Sequence, residues 1–329
     1  MTAATTATNT VPAAAHTGSA TPVLLDWTPQ KAATWGREPI FARHSVHQRE
    51  MFSNDGLARL LDTYPRAALG IWTMRTGPNG ERQFLNGRAD RLPGRDLLQA
   101  VEHGKLWLNL RAANTHLPEY DALCTELFGA LEAGTPGLKT FRRDLGVLIS
   151  SPSARVHYHL DIPMVALWHI RGVKRFFVYP QGEPFARNDA MEGIVLRAQT
   201  EEVDYDPAFD THAKVHDLQP GEMVTWPQNA PHRIDNVSGL NVSLSCEFQT
   251  FASVVRANAL FTNGFLRRRF GMNPDIARDT GLRGLTKAGI ARGLKLFNGR
   301  KAFEKHVVKS FEVDPGVDGF IRDIEVAAA

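Results

Sequence analysis

The run Arg155-Val156-His157-Tyr158-His159-Leu160-Asp161 sets two imidazoles and a carboxylate at every second position. In an extended strand alternate side chains share a face, so His157, His159 and Asp161 would line one wall. All three are potential metal ligands; the bland alternative for such a pair is surface hydrogen bonding. A second stretch begins at Pro220-Gly221, passes through a short strand and, by a turn bounded by Pro227 and Pro231, delivers His232 to the next strand. With His159 and Asp161 it makes two imidazoles and one carboxylate, the facial set that leaves open positions on Fe(II) for a chelating cosubstrate and for dioxygen.

The second stretch resembles the second cupin motif, G-x5-P-x-G-x2-H-x3-N, with Gly221, Pro227, His232 and Asn236 in register. Asn229 stands where the motif has Gly, and Asn tolerates a left-handed backbone better than most residues. His157 and His159 fit the first cupin motif, H-x-H-x3 or 4-E, but Pro163 and Met164 occupy the place of its Glu. Lys174 lies thirteen positions after Asp161, with Gly172 two before it, in Gly-Val-Lys-Arg-Phe-Phe-Val-Tyr-Pro. Taken together, residues 38 to 250 resemble the JmjC and cupin-like-8 family of Fe(II)/2-oxoglutarate oxygenases, whose pattern is H-x-D, a strand, G-x-K-R with aromatics ending in Pro, and a distal His.

That resemblance implies a mainly β fold with flanking helices around a double-stranded β-helix, or jelly roll. It implies that His159, Asp161 and His232 are the catalytic metal ligands and that Lys174 binds the distal carboxylate of 2-oxoglutarate. The physical reason is that a dicarboxylate chelating iron at one end needs a fixed cation at the other. The cofactors implied are Fe(II), 2-oxoglutarate as cosubstrate, and O2. The sequence departs from the family at Val165, four after Asp161, where many members are polar, and at Glu247, fifteen after His232, where some have Asn.

Other residues are candidates for the pocket. His157 is either a fourth ligand, as in a cupin, or, since the family uses three protein ligands, a pocket or wall residue. His169 alternates with Val165 and Leu167 and is either a pocket residue or a hydrogen-bonded core histidine. Between 240 and 248, Leu240, Val242, Leu244, Cys246 and Phe248 share one face while Asn241, Ser243, Ser245 and Glu247 share the other. The polar face, with Ser245 and Glu247, is expected to line the cavity near Asn236, and Cys246 to be core. Trp168 and Trp226 read as packing. His212 and His216 are expected on a loop beside the acidic stretch Glu201 to Asp206.

The elements that must position these residues follow from periodicity. Leu57, Leu60 and Leu61 after Ser53, and Leu117, Tyr120, Leu123, Leu127 and Leu131 before Gly134, are spaced for helices. Short β-rich runs separated by Pro, Gly and Asn fill about 145 to 251, the texture of a barrel or jelly roll. Helices return at about 254 to 270 and 274 to 297. The expected organisation is an Ala/Thr-rich disordered tail (1–25), an N-terminal α+β region packed on the barrel (26–138), the catalytic core (139–252) and a basic helical C-terminal region (253–329).

At 329 residues, 43 % hydrophobic and 22 % charged, the chain excludes collagen-like, coiled-coil and wholly disordered readings. Two cysteines exclude a disulfide framework, and no apolar run reaches membrane-span length. With fourteen Ala or Thr and no Lys or Arg, the first 22 residues lack the basic start of a secretory signal, so a cytoplasmic protein is expected. Residues 254 to 310 hold thirteen basic residues against three acids, leaving the rest of the chain at about −7. Dimerisation through Val255, Leu260, Phe261, Phe265 and Leu266 is the first reading of that segment, ahead of nucleic-acid binding. The function expected is 2-oxoglutarate-dependent hydroxylation of a protein or peptide side chain; demethylation, RNA modification and small-molecule oxidation stay open. The rivals are a cupin metalloenzyme that does not use 2-oxoglutarate and a non-enzymatic ligand- or nucleic-acid-binding module.

Overall fold

A computed structural model describes residues 22–76, 82–297 and 308–324, so most of the Ala/Thr-rich stretch lies outside the described residues. The N-terminal part runs α1 (Pro29–Ala33), β1 (Ile40–Arg43), α2 (Asn54–Thr63), β2 (Leu69–Thr76), β3 (Arg82–Arg88), α3 (Gly94–His103), β4 (Leu106–Leu110), α4 (Ala113–His116) and α5 (Pro118–Gly134). It is followed by β5 (Phe141–Ser150), β6 (Arg155–His159), β7 (Met164–Val178), α6 (Asn188–Val195), β8 (Lys214–Leu218), β9 (Glu222–Thr225) and β10 (His232–Gln249). α7 (Phe251–Phe270), α8 (Gly281–Phe297), β11 (Lys309–Val313) and β12 (Ile321–Asp323) complete the order.

The helices expected from spacing are present. The Ser53 hydroxyl accepts from the Gly56 N–H and caps α2, whose Leu57, Leu60 and Leu61 are buried. α5 has Pro118 in its first turn and buries Tyr120, Leu123, Leu127 and Leu131. α8 starts later than its apolar spacing suggests, because Asp275 caps a separate 3-10 turn at Ile276–Arg278.

Pairing of the strands defines the barrel. The first half of β7 pairs with β9 and with the second half of β10, which also pairs with β5; the second half of β7 pairs with β8 and with the first half of β10, which also pairs with β6. β7 and β10 therefore belong to both of two facing sheets, β5-β10-β7-β9 and β6-β10-β7-β8, as a double-stranded β-helix requires. Each crosses over at a glycine. Gly172 (φ 78°) bends β7 and Gly239 (φ 68°) bends β10, and a Cβ on Gly239 would stand 3.6 Å from the Gly172 Cα.

The N-terminal region extends this sheet as well as packing on it. β1 joins the β9 edge, and β4, β2 and β3 continue it beyond β5. β11 and β12 lengthen the far edge, strands that sequence reading of the C-terminal region as helical did not include. The main core lies between the outer face of the sheet and the helices, holding Leu240, Val242, Leu244, Cys246 and Phe248 against α5 and its neighbours. A second cluster, with Leu167, Phe176, Val178, Trp226 and Ile234, fills the barrel interior. No helix among the described residues is long and apolar enough to cross a membrane.

Candidate metal centre

His159 ends β6 and His232 begins β10, and the two are direct partners across that antiparallel pair. Their ring centroids are 4.1 Å apart. Asp161 follows β6 by two residues, and its Oδ2 lies 3.4 Å from His232 Nε2 and its Oδ1 3.8 Å from His159 Nε2. One ligand atom from each of the three falls within 4.8 Å of the others, the only such group among the described residues. His157 is not part of it. Its backbone carbonyl instead accepts a 2.7 Å hydrogen bond from His159 Nδ1.

That bond, and a matching one from His232 Nδ1 to the Ala230 carbonyl at 3.2 Å, commit the Nδ1 protons. A neutral imidazole so held presents a bare lone pair at Nε2, the usual state of a metal-ligating histidine. Burial pushes His232 well below its ordinary range and so keeps it neutral. Burial also raises Asp161 to about 6. Nε2 lone pairs facing carboxylate oxygens repel unless a proton or a cation lies between them, so this donor set fits a metal. Phe176 stacks on His232 at 5.6 Å and Trp226 packs at 4.6 Å, walling the imidazole from water.

The centre opens into a cavity of about 160 Å³. Val165, Leu167, Ser245 and Glu247 line it, and Trp226, expected only to pack, lines it too. Burial, with Asp161 nearby, raises Glu247 to about 7. Sequence reading missed the wall supplied by β4 and β5: Trp107 and Asn109 from β4 with Arg111 just beyond its end, and Asp144, Gly146 and Leu148 from β5. A signal existed. In Leu106-Trp107-Leu108-Asn109-Leu110-Arg111 the leucines are buried and the residues between them face the cavity.

His157, His169 and Asn236 are not among the lining residues. His169 is a fully buried, hydrogen-bonded histidine, with Nε2 donating to the Gly172 carbonyl at 2.9 Å and Nδ1 meeting Ser243 Oγ at 3.0 Å. Asn236 ties β10 to the end of β5, donating to Ser150 Oγ at 2.9 Å and the Ser151 carbonyl at 2.7 Å. His212 ends a 3-10 turn, whereas His216 lies within β8 rather than on a loop and meets Glu222 Oε2 at 3.0 Å. Part of the acidic stretch reaches the site: the Glu201 carbonyl accepts from Leu160 N–H at 3.1 Å, and Glu201 lines the cavity.

Lys174 is 4 % exposed, and its Nζ donates to Ser243 Oγ at 3.0 Å. It is not a lining residue, but Ser243 precedes lining Ser245 by one step on the same face of β10. No carboxylate among the described residues pairs with it, and burial alone lowers it to about 8. An interior ammonium lacking an anion suits a buried carboxylate ligand.

No protein-family model matches the sequence, and no curated protein matches it. Among solved structures, the chain is similar to YcfD, a ribosomal oxygenase from Escherichia coli, in complex with cobalt and 2-oxoglutarate: 18 % identity and a TM-score of 0.49 over 86 % of this chain and 69 % of that one. The YcfD complex with cobalt and succinic acid gives 18 % and 0.45 over the same shares. A further E. coli YcfD structure gives 17 % and 0.47 over 85 % and 69 %.

Proposed function

We propose that this chain is a 2-oxoglutarate-dependent Fe(II) dioxygenase that hydroxylates a protein or peptide side chain. The observation that carries the reading is the meeting of His159, Asp161 and His232, each Nδ1 proton held by a backbone carbonyl and each Nε2 turned to the carboxylate. With Fe(II) and 2-oxoglutarate bound, the centre would supply oxidation of a C–H bond by dioxygen, with release of succinate and carbon dioxide. The chain's own part is to hold and to shield. His159, Asp161 and His232 would hold the metal from one side, and Lys174 would hold the far carboxylate of the cosubstrate. Leu167, Ile234, Phe176 and Trp226 keep the interior dry.

The cavity of about 160 Å³ is small beside the roughly 300–1,000 Å³ of typical small-molecule pockets. This favours an acceptor that enters as a projecting side chain. Leu260, expected on the dimer face, is instead fully buried against Met191 and Ile194 of α6, and Val255, Phe261, Phe265 and Leu266 are only partly exposed. Phe270, Leu282 and Leu296, 64 %, 83 % and 79 % exposed, support a homodimer through α7 and α8 by a different set of residues. Two free, buried cysteines suit the cytoplasm.

The test is anaerobic titration of the Fe(II)-loaded protein with 2-oxoglutarate, followed by the visible metal-to-ligand charge-transfer band. The band is expected in the native chain and absent in His159→Ala and Lys174→Ala. Folded, iron-loaded native protein that gives no band overturns the proposal.

A further inference from the structure

We infer that Asn229 is a positioning residue for the proposed metal centre, locking the Asp161 segment to the turn that delivers His232, and that Arg256 on α7 holds Asn229 in that role. The inference rests on the metal-centre reading above. It starts from the position where the cupin-like motif has Gly and this chain has Asn.

Asn229 has the left-handed backbone that a Gly would adopt there, with φ 63°, and is 1 % exposed. Its side chain makes two bonds that a Gly could not. Nδ2 donates to the backbone carbonyl of Asp161 at 2.9 Å, and Oδ1 accepts from Arg256 Nε at 2.9 Å. Gln228 beside it repeats the pattern, with Nε2 donating to the Ile162 carbonyl at 2.7 Å and to the Ser253 carbonyl at 3.2 Å. Two successive side chains of one turn thus grip two successive carbonyls of the segment between β6 and β7, and both are tied to α7.

The same turn fixes His232. Ala230 N–H donates to the Pro227 carbonyl at 3.0 Å, and the Ala230 carbonyl accepts from His232 Nδ1 at 3.2 Å. Asp161 and His232 are therefore joined by a short path through Asn229 and Ala230, and that path sets the 3.4 Å between Oδ2 and Nε2. Ligand sets tolerate displacements of only about 0.5 Å, and loss of an outer partner costs roughly 10–100-fold in metal affinity.

The test is Co(II) titration of the full-length protein, read by cobalt absorption and paired with thermal unfolding of the metal-free chain. Asn229→Gly keeps the turn, because Gly adopts positive φ freely, and removes both side-chain bonds. It is expected to bind Co(II) about 10–100-fold more weakly, with an altered cobalt spectrum and a metal-free unfolding temperature close to native. Asn229→Asp keeps an acceptor for Arg256 but sets an oxygen against the Asp161 carbonyl, and is expected to be as weak as Asn229→Gly. Arg256→Lys, which can still donate to Asn229, is expected to stay near native, and Arg256→Ala to fall between. Native affinity and spectrum in Asn229→Gly overturn the inference and leave the metal-centre reading standing. A native chain that binds no Co(II) overturns both. If Asn229→Gly unfolds, Arg256→Ala decides in its place, and native affinity in that variant overturns the inference.

Discussion

The ammonium of Lys174 donates to the hydroxyl of Ser243 at 3.0 Å, although the two residues lie 69 positions apart. The hydroxyl proton goes on to His169 Nδ1, whose ring is kept neutral because burial, with Lys174 nearby, lowers it to about 3. His169 closes the series by donating from Nε2 to the Gly172 carbonyl, at the bend of the strand that carries Lys174. One cation is thus aimed by neutral groups only, and its charge stays uncompensated within the barrel.

Replacing that cation separates binding from stability. Lys174→Met removes a charge-assisted contact worth about 3 kcal/mol to a bound carboxylate, so the KM for 2-oxoglutarate should rise on the order of 100-fold. The same change relieves a buried charge without an ion-pair partner. The ligand-free protein is therefore expected to melt at a higher temperature than native. Scanning calorimetry beside cosubstrate kinetics checks both, and a destabilised Lys174→Met would mean that the bond to Ser243 outweighs the cost of burying the charge.

Binding of 2-oxoglutarate should depend on pH through the same group. Burial brings Lys174 down to about 8, so the ligand-free chain carries the ammonium below that pH and loses it above. The Kd for the dianion should be level below pH 8 and rise by up to about tenfold per unit above it. A bound anion favours the charged form, so the complex titrates at higher pH than the free protein. Isothermal titration from pH 6.5 to 9.5 measures the break, which Lys174→Met should abolish.

His157, expected on the wall that His159 and Asp161 share, does not line the cavity. That the other two share it was legible because side-chain direction in a strand is a local property. Which imidazole would reach the metal was less so. β6 and β10 shift register between the His232 and Ile234 pairs, so Val156 and His159, three residues apart, meet residues two apart. The alternation before Arg111 could be read locally, but not that this face, with Asp144 of β5, closes the cavity, since β4 and β5 reach it by pairings decided at long range. β11 was missed for the same reason: five residues settled as a strand by parallel pairing to β3, more than 220 positions earlier. At α8, the apolar spacing extends past its true start, where Asp279 instead binds Asn263, Arg283 and Lys287.

Metal removal gives a third outcome. A cation that binds only the folded chain stabilises it by about 2.7 kcal/mol at a hundred times its Kd. In a chain of this size that is a rise of several degrees in Tm. Co(II) should raise the unfolding temperature of the native protein by that amount, and a chelator should reverse it. In Asp161→Ala and His232→Ala the rise should vanish. A persistent rise in both variants would place the stabilising cation elsewhere.

The bend at Gly172 should be intolerant of any side chain, for two reasons that can be separated. Its φ of 78° strains an L-residue by about 1–2 kcal/mol. A Cβ there would also stand 2.7 Å from Asn241 Nδ2 and 2.8 Å from the Leu240 carbonyl, closer than packed atoms allow. Gly137 isolates the first effect, since its φ is 80° and a Cβ would meet nothing within 4 Å. In urea unfolding, Gly137→Ala should lose about 1–2 kcal/mol and Gly172→Ala about 3–4 kcal/mol. Because Lys174 lies two residues beyond the bend, Gly172→Ala should also weaken 2-oxoglutarate binding, whereas Gly137→Ala should leave it unchanged. Equal losses of stability in the two variants would show that β10 yields at the crossing, and the two bends would then not be packed on each other.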